Sequence, residues 1–314
     1  MRIGKLGSRS GAGAGARTAV AAVAAVLGLG LGLAGCSGGG PAEPASVSSS
    51  LSAQAGARPA AVPPRPDHVV VVVEENHSRS QILGGKDAPY LTSLAAQGAS
   101  FSDSYAVAHP SQPNYLALFS GSLQGLTDDS CPHSFTGANL ASELSAAGRD
   151  FAGYAESMPR PGYPGCGRGD YARKHVPWAN YPALPAKTVS RTFAQWPSGD
   201  YARLPTVSFV VPNLQHDMHD GSVRQGDDWL RAHLSGYAEW ARTHHSLLVV
   251  TWDEDEGTST NRIPTLVVGQ DVRPGSYPEL VDHYRLLRTL EAMYALPALG
   301  ESAHRSPITD IWTH

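Results

Sequence analysis

The chain has 314 residues, of which 41% are hydrophobic and 17% are charged. This length and composition suit one large globular domain with an ample core, or at most two smaller ones. The formal net charge is -4, and basic and acidic side chains are mixed along the chain with no basic tract beyond the extreme N-terminus. Such a distribution argues against nucleic-acid binding through a basic stripe.

Residues 1 to 36 have the layout of a bacterial export signal. A leader with several basic residues precedes an apolar run from Thr18 to Leu33, which is short for a membrane span and typical of a signal peptide. The run ends in Leu-Ala-Gly-Cys at Cys36, which resembles the bacterial lipobox, where the cysteine is lipidated and becomes the first mature residue. An ordinary secretory signal or an uncleaved anchor is the alternative. Each version places the rest of the chain outside the cytoplasm.

Residues 37 to 65 are mostly Gly, Pro, Ala and Ser, with few large apolar side chains. This composition predicts a flexible tether. We therefore expect a folded domain over residues 66 to 314, held near the membrane by a lipid on Cys36.

The other two cysteines, Cys131 and Cys166, form an even pair in an oxidising compartment. A disulfide between them is the default interpretation. A metal site is the competing interpretation, but the pair lacks the CxxC spacing that would favour it.

The first predicted strand of the domain contains five consecutive valines, Val69 to Val73. Such an apolar, β-branched run is too short for a typical helix and suits a strand that is buried on both faces. Polar residues follow at once, from Glu74 to His77. Because open α/β sheets bind ligands at the carboxyl ends of their strands, we expect the floor of an active site here.

The next segments lead to a serine between two prolines. Ala88 to Gln97 has apolar residues at helical spacing, which predicts the first crossover helix, and Ala99 to Val107 is predicted as a short strand. The sequence HPSQPNY around Ser111 follows, and its prolines predict a non-helical turn before the helical pattern of Tyr115 to Ser120. Ser111 is thus expected near a helix N-terminus, where backbone N–H groups favour an anion; a simple N-cap role is the alternative.

Helices and strands keep alternating over the rest of the domain. An irregular stretch rich in Pro, Gly, Tyr and Trp runs from residue 157 to residue 200, and we expect it to form a wall over the site, pinned by the two cysteines. The alternation predicts an α/β sandwich with a mostly parallel central sheet flanked by helices. The predicted helices are Leu140–Ala147, Asp228–His244 and Tyr284–Tyr294, and the predicted strands are Asp150–Glu156, Thr206–Val211, Ser246–Trp252 and Ile263–Val268.

Two later strands also end in polar clusters, PNLQHDMHDG after Val211 and DEDEG after Trp252. We expect the strand ends to meet at one edge of the sheet, where carboxylate and amide oxygens suit a divalent cation. A cation there would lower the pKa of the Ser111 hydroxyl enough to make it a nucleophile. Each acid taken alone could instead be a solvated loop residue. The expected ligands are Glu75, Asn76, Asp253 and Glu254.

The histidines leave more than one interpretation open. His216 and His219 flank Asp217, an arrangement that suits a metal or phosphate site, or simply an Asx-type turn. His283 precedes the last predicted helix and is a weaker ligand candidate.

Four sequence segments occur in order: ENHS from Glu75, HPSQPNY, PNLQHDMHDG, and TWDEDEG with the later DHYRLLRTLEAMY. Together they resemble the bacterial phosphoesterase family that holds secreted acid phosphatases and phosphatidylcholine-type phospholipases C, in the alkaline-phosphatase-like superfamily. The resemblance spans about residues 67 to 297.

The resemblance implies an alkaline-phosphatase-like fold and a metal-dependent hydrolase with a serine nucleophile. On the family pattern, Ser111 is the nucleophile and Asn114 a donor to a phosphate oxygen, while His219 binds phosphate or protonates the leaving group. The metal ligands of the family correspond to the four strand-end residues named above, although the family often has a second aspartate where this chain has Glu254. The cation could be Ca²⁺, Mg²⁺, Mn²⁺ or Zn²⁺. The residues expected to help bind substrate are His216, Asp217 and His283.

The domain is short compared with the large phospholipases of that family and has no evident lipid-binding module. This favours a phosphomonoesterase of the acid phosphatase kind, with inositol lipid phosphates among the candidate substrates. A phospholipase C-type phosphodiesterase and a non-catalytic phosphate-binding lipoprotein are the alternatives. A sulfatase is not expected, because the CxPxR modification motif is absent.

Overall fold

The structure, a computed structural model, describes residues 62 to 313. The predicted signal segment, the lipidation site Cys36 and most of the predicted tether lie outside the described residues and stay predictions. Within the described part of the chain, no helix is both long and apolar enough to cross a bilayer.

Twelve strands and seven α-helices alternate along the described chain. The strands are β1 (His68–Glu74), β2 (Ala99–Phe101), β3 (Ser104–Tyr105), β4 (Phe151–Ala155), β5 (Gly167–Arg168), β6 (Tyr171–Ala172), β7 (Ser190–Thr192), β8 (Val207–Val211), β9 (Ser246–Trp252), β10 (Thr265–Gly269), β11 (Gly275–Tyr277) and β12 (Val281–Asp282). The helices are α1 (Arg79–Ile82), α2 (Pro89–Gln97), α3 (Ser111–Ser120), α4 (Leu140–Ala146), α5 (Ala186–Val189), α6 (Val223–Ala241) and α7 (His283–Met293).

Eight of these strands form one central sheet in the order β11-β2-β10-β9-β1-β8-β4-β7. The five strands from β9 to β7 run parallel, and β10 is antiparallel to both of its neighbours. Helices cover both faces of the sheet. The predicted fold, an α/β sandwich with a mostly parallel sheet, is therefore confirmed.

The valine run of β1 is buried on both faces of this sheet. Val69, Val71 and Val73 belong to the core beneath α3 and α7, whereas Val70 and Val72 belong to the core beneath α2 and α6. Alternate side chains of a strand point to opposite faces, so a strand covered on both sides needs apolar residues at every position. Each fully buried valine contributes about 1.5–3 kcal/mol relative to its exposed state.

The predicted strand over Ala99–Val107 is wrong as a single element. The structure divides it into β2, which joins the central sheet, and β3, which pairs with β12 in a separate sheet. Ser102 and Asp103 separate the two strands, and the Ser102 N–H donates to the Tyr277 carbonyl at 2.8 Å. Alternation of residue types can predict extended chain, but it does not encode which sheet the chain joins.

Helix α6 begins at Val223, before the predicted start at Asp228. Ser222 and Gln225 form a capping box at this end of the helix. Ser222 accepts from the Gln225 N–H, and the Ser222 N–H donates to the Gln225 side chain at 3.0 Å. The S-x-x-Q spacing is a helix-start signal that the apolar pattern alone does not include.

The predicted wall over residues 157 to 200 contains short elements, among them β7 at one edge of the central sheet. The Cys131–Cys166 disulfide is confirmed, with 5.8 Å between the two Cα atoms. Trp178 lies against the sheet at Gly153, where a Cβ atom would come within 2.1 Å of the indole ring. The absence of a side chain at this position lets the wall pack directly on β4.

Candidate active site

Three neighbouring parallel strands, β9, β1 and β8, end at the same edge of the sheet. Backbone hydrogen bonds join the chain segments that leave them: the Glu75 N–H donates to the Asp217 carbonyl at 2.8 Å, and the Asp253 N–H donates to the Glu74 carbonyl at 2.9 Å. The Asn76 N–H also lies 3.2 Å from Asp253 Oδ1. The structure therefore brings the polar clusters that follow these strands together at one place.

Ser111 is the first residue of α3 and lies against this edge. Its buried hydroxyl donates to Glu75 Oε2 at 3.0 Å and to Glu254 Oε1 at 3.2 Å. The predicted non-helical turn is wrong in one respect, since Pro113 lies inside the first turn of the helix. Proline is tolerated there because the first N–H groups of a helix have no intrahelical partner.

The Asn114 side chain holds the turn before Ser111. Its Oδ1 accepts from the N–H groups of Val107 and Ala108 at 3.1 and 3.0 Å. Its Nδ2 donates to the carbonyls of Ala108 and Pro110 at 2.8 and 3.2 Å. All of these hydrogen bonds fix the loop that leads to Ser111, and the expected role of Asn114 as a phosphate donor stays a prediction.

Glu75 is surrounded by polar side chains that the strand end alone does not reveal. The Tyr115 hydroxyl donates to Glu75 Oε1 at 2.7 Å, and His175 Nε2 lies 3.0 Å from the same oxygen. His175 Nδ1 pairs with Asp217 Oδ2 at 3.1 Å, and the imidazole stacks on the Tyr115 ring. Asp217 therefore orients His175, whose other nitrogen faces Glu75.

Burial dominates the electrostatics of this site. It raises the pKa of the Glu75 carboxyl well above its usual range, with Asp253 and Asp217 adding to the effect. The pKa of Asp253 is likewise raised well above normal by burial and by Glu254, and burial raises the pKa of Asp217 to about 7. Burial also lowers the pKa of His175 well below normal, reinforced by Lys174 and His219, so its imidazole is neutral.

This set of acceptors fits a divalent cation. Among residues 62 to 313, buried Asp253 Oδ2 has no hydrogen-bond partner, and buried His175 Nε2 lies close to Glu75 Oε1 without the geometry of a hydrogen bond to it. Ligand atoms of Glu75, His175 and His219 all lie within 4.8 Å of one another. Buried acceptors without donors are costly unless a proton or a cation neutralises them, and carboxylate and imidazole groups are ligands for divalent metals.

Glu254 and His219 both lie near the Ser111–Glu75 pair. Glu254 contacts Ser111 through one oxygen and His109 through the other. The His219 N–H donates to Asp217 Oδ1 at 2.8 Å, and the partly exposed ring lies beside His175. The prediction that these two residues belong to one site with Ser111 agrees with the geometry, while their chemical roles stay predictions.

Two residues predicted to bind substrate contact other parts of the protein. His216 Nδ1 pairs with Glu156 at 2.9 Å, and its ring stacks on Trp229. His283 is buried, with Nε2 placed 3.0 Å from the Trp252 carbonyl. His216 thus contacts Trp229 of α6 and His283 contacts the end of β9, and their expected roles in substrate binding stay predictions.

The raised pKa values predict a pH-dependent response to cations. A carboxyl group whose pKa is raised by folding stabilises the protein fully below its unfolded pKa of about 4, and this contribution is lost as the pH rises through the folded pKa. For Asp217 that loss extends to about pH 7. A cation replaces the protons, so the increase in Tm on adding a divalent cation should grow from about pH 4.5 to pH 7.5. Differential scanning fluorimetry measures it, and an increment that is constant or falls with pH would contradict the proposed site.

His175 and Lys174 are two residues of this site that the sequence did not identify. Both lie in a short 3-10 helix, Arg173–His175, within the irregular wall. This helix follows β6, which lies outside the central sheet, and the Lys-His pair has no motif spacing. The one available signal was the expectation that so long an irregular stretch serves function.

Comparison with known proteins gives the family. The sequence model of the Phosphoesterase family matches residues 85–297, more than half of the chain. Phosphatidylinositol-3-phosphatase of Mycobacterium tuberculosis is 55% identical over 248 residues, which cover 78% of this chain and 82% of that protein. Acid phosphatase of Aspergillus fumigatus is 28% identical over 66% of this chain and 51% of that protein, so the chain spans about half the length of this fungal relative.

Solved structures give the same fold. A protein of the alkaline phosphatase superfamily from Vibrio parahaemolyticus aligns with a TM-score of 0.55 at 14% identity, covering 77% of this chain and 70% of that one. The lipoteichoic acid synthase LtaP from Listeria monocytogenes aligns with a TM-score of 0.56 at 10% identity, covering 80% and 77%. These low identities show the fold alone. The chain belongs to the phosphoesterase family, has an alkaline-phosphatase-like fold, and is a hydrolase of phosphoric ester bonds.

Proposed function

We propose that this protein is a metal-dependent, extracytoplasmic phosphomonoesterase of the acid phosphatase type, with Ser111 as its nucleophile. The observation that carries the proposal is the Ser111 hydroxyl, which donates to Glu75 and Glu254 inside a pocket of buried carboxylates. The N-cap of α3 is Pro110 and Ser111 is the first residue of the helix, so Ser111 does not hold the capping position.

A bound divalent cation would stabilise negative charge on Ser111 Oγ and on the phosphoryl oxygens. The atoms that would bind this cation are side-chain oxygen and nitrogen atoms of residues at the strand ends and in the wall. Asn76 turns the chain at the end of β1 with a positive φ of 57°, and its role as a ligand rests on the family pattern. The residues that would hold the cation are Glu75, Asn76, Asp253, Glu254 and His175.

The residues present account for both halves of the reaction. Ser111 gives its proton to a carboxylate that it already contacts and attacks phosphorus in line with the ester oxygen. The Oγ–P bond forms while the P–O ester bond breaks, and the alcohol leaves with a proton that His219 Nε2 has taken up from solvent. Water then attacks phosphorus and gives a proton back to His219, the Oγ–P bond breaks, and Ser111 Oγ recovers its proton from the carboxyl group that had taken it.

The named relatives support a monoester substrate. One is a phosphatidylinositol-3-phosphatase and another an acid phosphatase. We extend that substrate class to this chain, as phosphoinositides or other small phosphate monoesters.

The location is a separate part of the proposal. The export-type N-terminus and the lipobox-like Cys36 support a domain anchored by lipid outside the cytoplasm. Fractionation of cells into membrane and soluble parts tests this, and a cytoplasmic, unlipidated protein would contradict it.

A substrate panel tests the proposed activity. The purified protein, supplied in turn with each of the four candidate cations, is assayed with p-nitrophenyl phosphate, bis-p-nitrophenyl phosphate and p-nitrophenyl phosphorylcholine. We expect kcat/KM for the monoester to exceed that for either diester by about tenfold or more. Preference for the phosphorylcholine ester would indicate a phospholipase C, and phosphate binding without release of any alcohol would indicate a binding protein.

A further inference from the structure

Lys174 places a positive charge beside the catalytic pocket. Its Nζ lies 2.8 Å from Asp129 Oδ2 and 3.2 Å from His219 Nε2. Its side chain is 21% exposed, so it is largely shielded but still in contact with solvent. Lys174 acts electrostatically on both Glu75 and Asp253.

Lys174 is held by the structure around it. Asp129 binds the ammonium through Oδ2, and through Oδ1 it accepts the Gln112 N–H at 2.9 Å. Gln112 directly follows Ser111, so one carboxylate connects the ammonium to the turn that carries the nucleophile. A flexible lysine on a free surface would lose much more side-chain entropy on binding a ligand than one that is already held.

The neighbouring residues fix the same segment. The Arg173 N–H donates to the Cys166 carbonyl at 2.9 Å, next to the disulfide. The Arg173 guanidinium donates to the carbonyls of Pro164 and Ala179 at 2.7 and 2.8 Å. Hydrogen bonds to chain segments before and after it therefore hold the 3-10 helix that carries Lys174 in place.

A bound ligand can take the place of His219 as the partner of the Lys174 ammonium. An ammonium has only donors, so His219 Nε2 accepts from it, and Nδ1 faces Asp220 Oδ1 at 2.7 Å as the protonated nitrogen. A phosphoryl oxygen carries negative charge and is a better acceptor than a neutral imidazole nitrogen. A substrate phosphate can therefore take the ammonium and release His219 Nε2.

We propose that Lys174, positioned by Asp129, binds a non-bridging phosphoryl oxygen and makes the site select dianionic phosphate monoesters over monoanionic diesters. This inference rests on the proposed phosphomonoesterase function. The physical reason is that a fixed cation in a partly desolvated pocket attracts a dianion more strongly than a monoanion. A lysine ammonium is a compact point charge suited to one phosphoryl oxygen.

The test compares Lys174→Met with the wild-type protein, each supplied with the preferred cation. Lys174→Met removes the charge and keeps the length of the side chain. We expect kcat/KM for p-nitrophenyl phosphate to fall by about 10- to 100-fold and that for bis-p-nitrophenyl phosphate to fall by less than about threefold. Competitive inhibition by inorganic phosphate should weaken by about tenfold or more, and Lys174→Arg should restore part of each loss.

Matched controls separate binding from folding. Lys86→Met removes an exposed lysine that also pairs with an aspartate, Asp87, and should leave both rates unchanged. Asp129→Asn keeps the ammonium but weakens its support, and should raise KM for the monoester more than it lowers kcat. If Lys174→Met does not fold, Lys174→Arg and Asp129→Asn carry the same monoester-to-diester comparison.

The possible results distinguish this inference from the function on which it rests. A wild-type protein that prefers the monoester, with a preference that Lys174→Met does not change, overturns the inference and leaves the proposed function standing. Unchanged inhibition by phosphate in Lys174→Met also overturns it. A wild-type protein that prefers the diester overturns both.

Discussion

Replacing Ser111 with alanine is expected to lower turnover of p-nitrophenyl phosphate by about three orders of magnitude or more, because the variant lacks the attacking oxygen. The folded state should persist. The change removes one buried hydroxyl whose net hydrogen-bond contribution is about 1–2 kcal/mol. Steady-state kinetics and thermal unfolding of the same preparation measure both effects.

Ser120→Ala is the matched control for this experiment. Ser120 is the last residue of the same helix, is similarly buried, and donates to the Leu116 carbonyl at 2.9 Å. Loss of its hydroxyl should leave kcat within about twofold of wild type, since it does not touch the pocket. Near-wild-type rates in Ser111→Ala, or equal losses in both variants, would refute the nucleophile assignment.

Removal of the cation is expected to reduce phosphatase activity by about 100-fold or more, and the same cation added back should restore it. The physical reason is the excess of buried acceptors around Glu75 and Asp253, which cannot stabilise an anionic phosphoryl group without a positive charge between them. Dialysis against a chelator, followed by metal analysis and assay, measures the effect.

Glu75→Gln should prevent that restoration, because the amide removes one negative charge from the centre of the site. Glu291→Gln is its control. Glu291 lies on α7 and is equally buried, but its oxygens accept from the Ser302 hydroxyl and from the Leu299 N–H. The Glu291→Gln variant should recover its phosphatase activity when the cation is added back. A metal-free protein with full activity would contradict the metal-dependent mechanism.

The sequence was sufficient to predict the centre of the fold. An unbroken run of β-branched residues can be satisfied only by a strand covered on both faces, so Val69–Val73 predicts β1 and its helical layers together. Acids directly after such a strand fall at the carboxyl edge of the sheet. The contact between Ser111 and Glu75 confirms that these separate segments meet.

The same reasoning could not decide between the two acids that follow the run. Glu75 meets Ser111, whereas Glu74, at the last position of β1, is fully buried without a hydrogen-bond partner for either carboxyl oxygen in the described part of the chain. Burial raises its pKa well above normal, with Asp217, Glu156 and Asp227 adding to the effect. The expected ligand set named Glu75, and the family resemblance named the same residue, but the strand-end position alone gives no physical reason to prefer it over Glu74.

Side-chain direction explains the other differences. Asn114, His216 and His283 are polar residues close in sequence to the site, and each turns to a backbone or carboxyl partner elsewhere. His175 and Lys174, by contrast, reach the site from the irregular wall. Local sequence patterns specify which residues lie near a strand end, but tertiary packing determines which of them point into the pocket.

The most direct test of the account is to stop turnover with acid and locate the phosphoryl group by mass spectrometry of proteolytic peptides. Our account predicts a phosphoserine at Ser111, formed with p-nitrophenyl phosphate and absent from Ser111→Ala. A phosphoryl group on His219 or on any other side chain would contradict it.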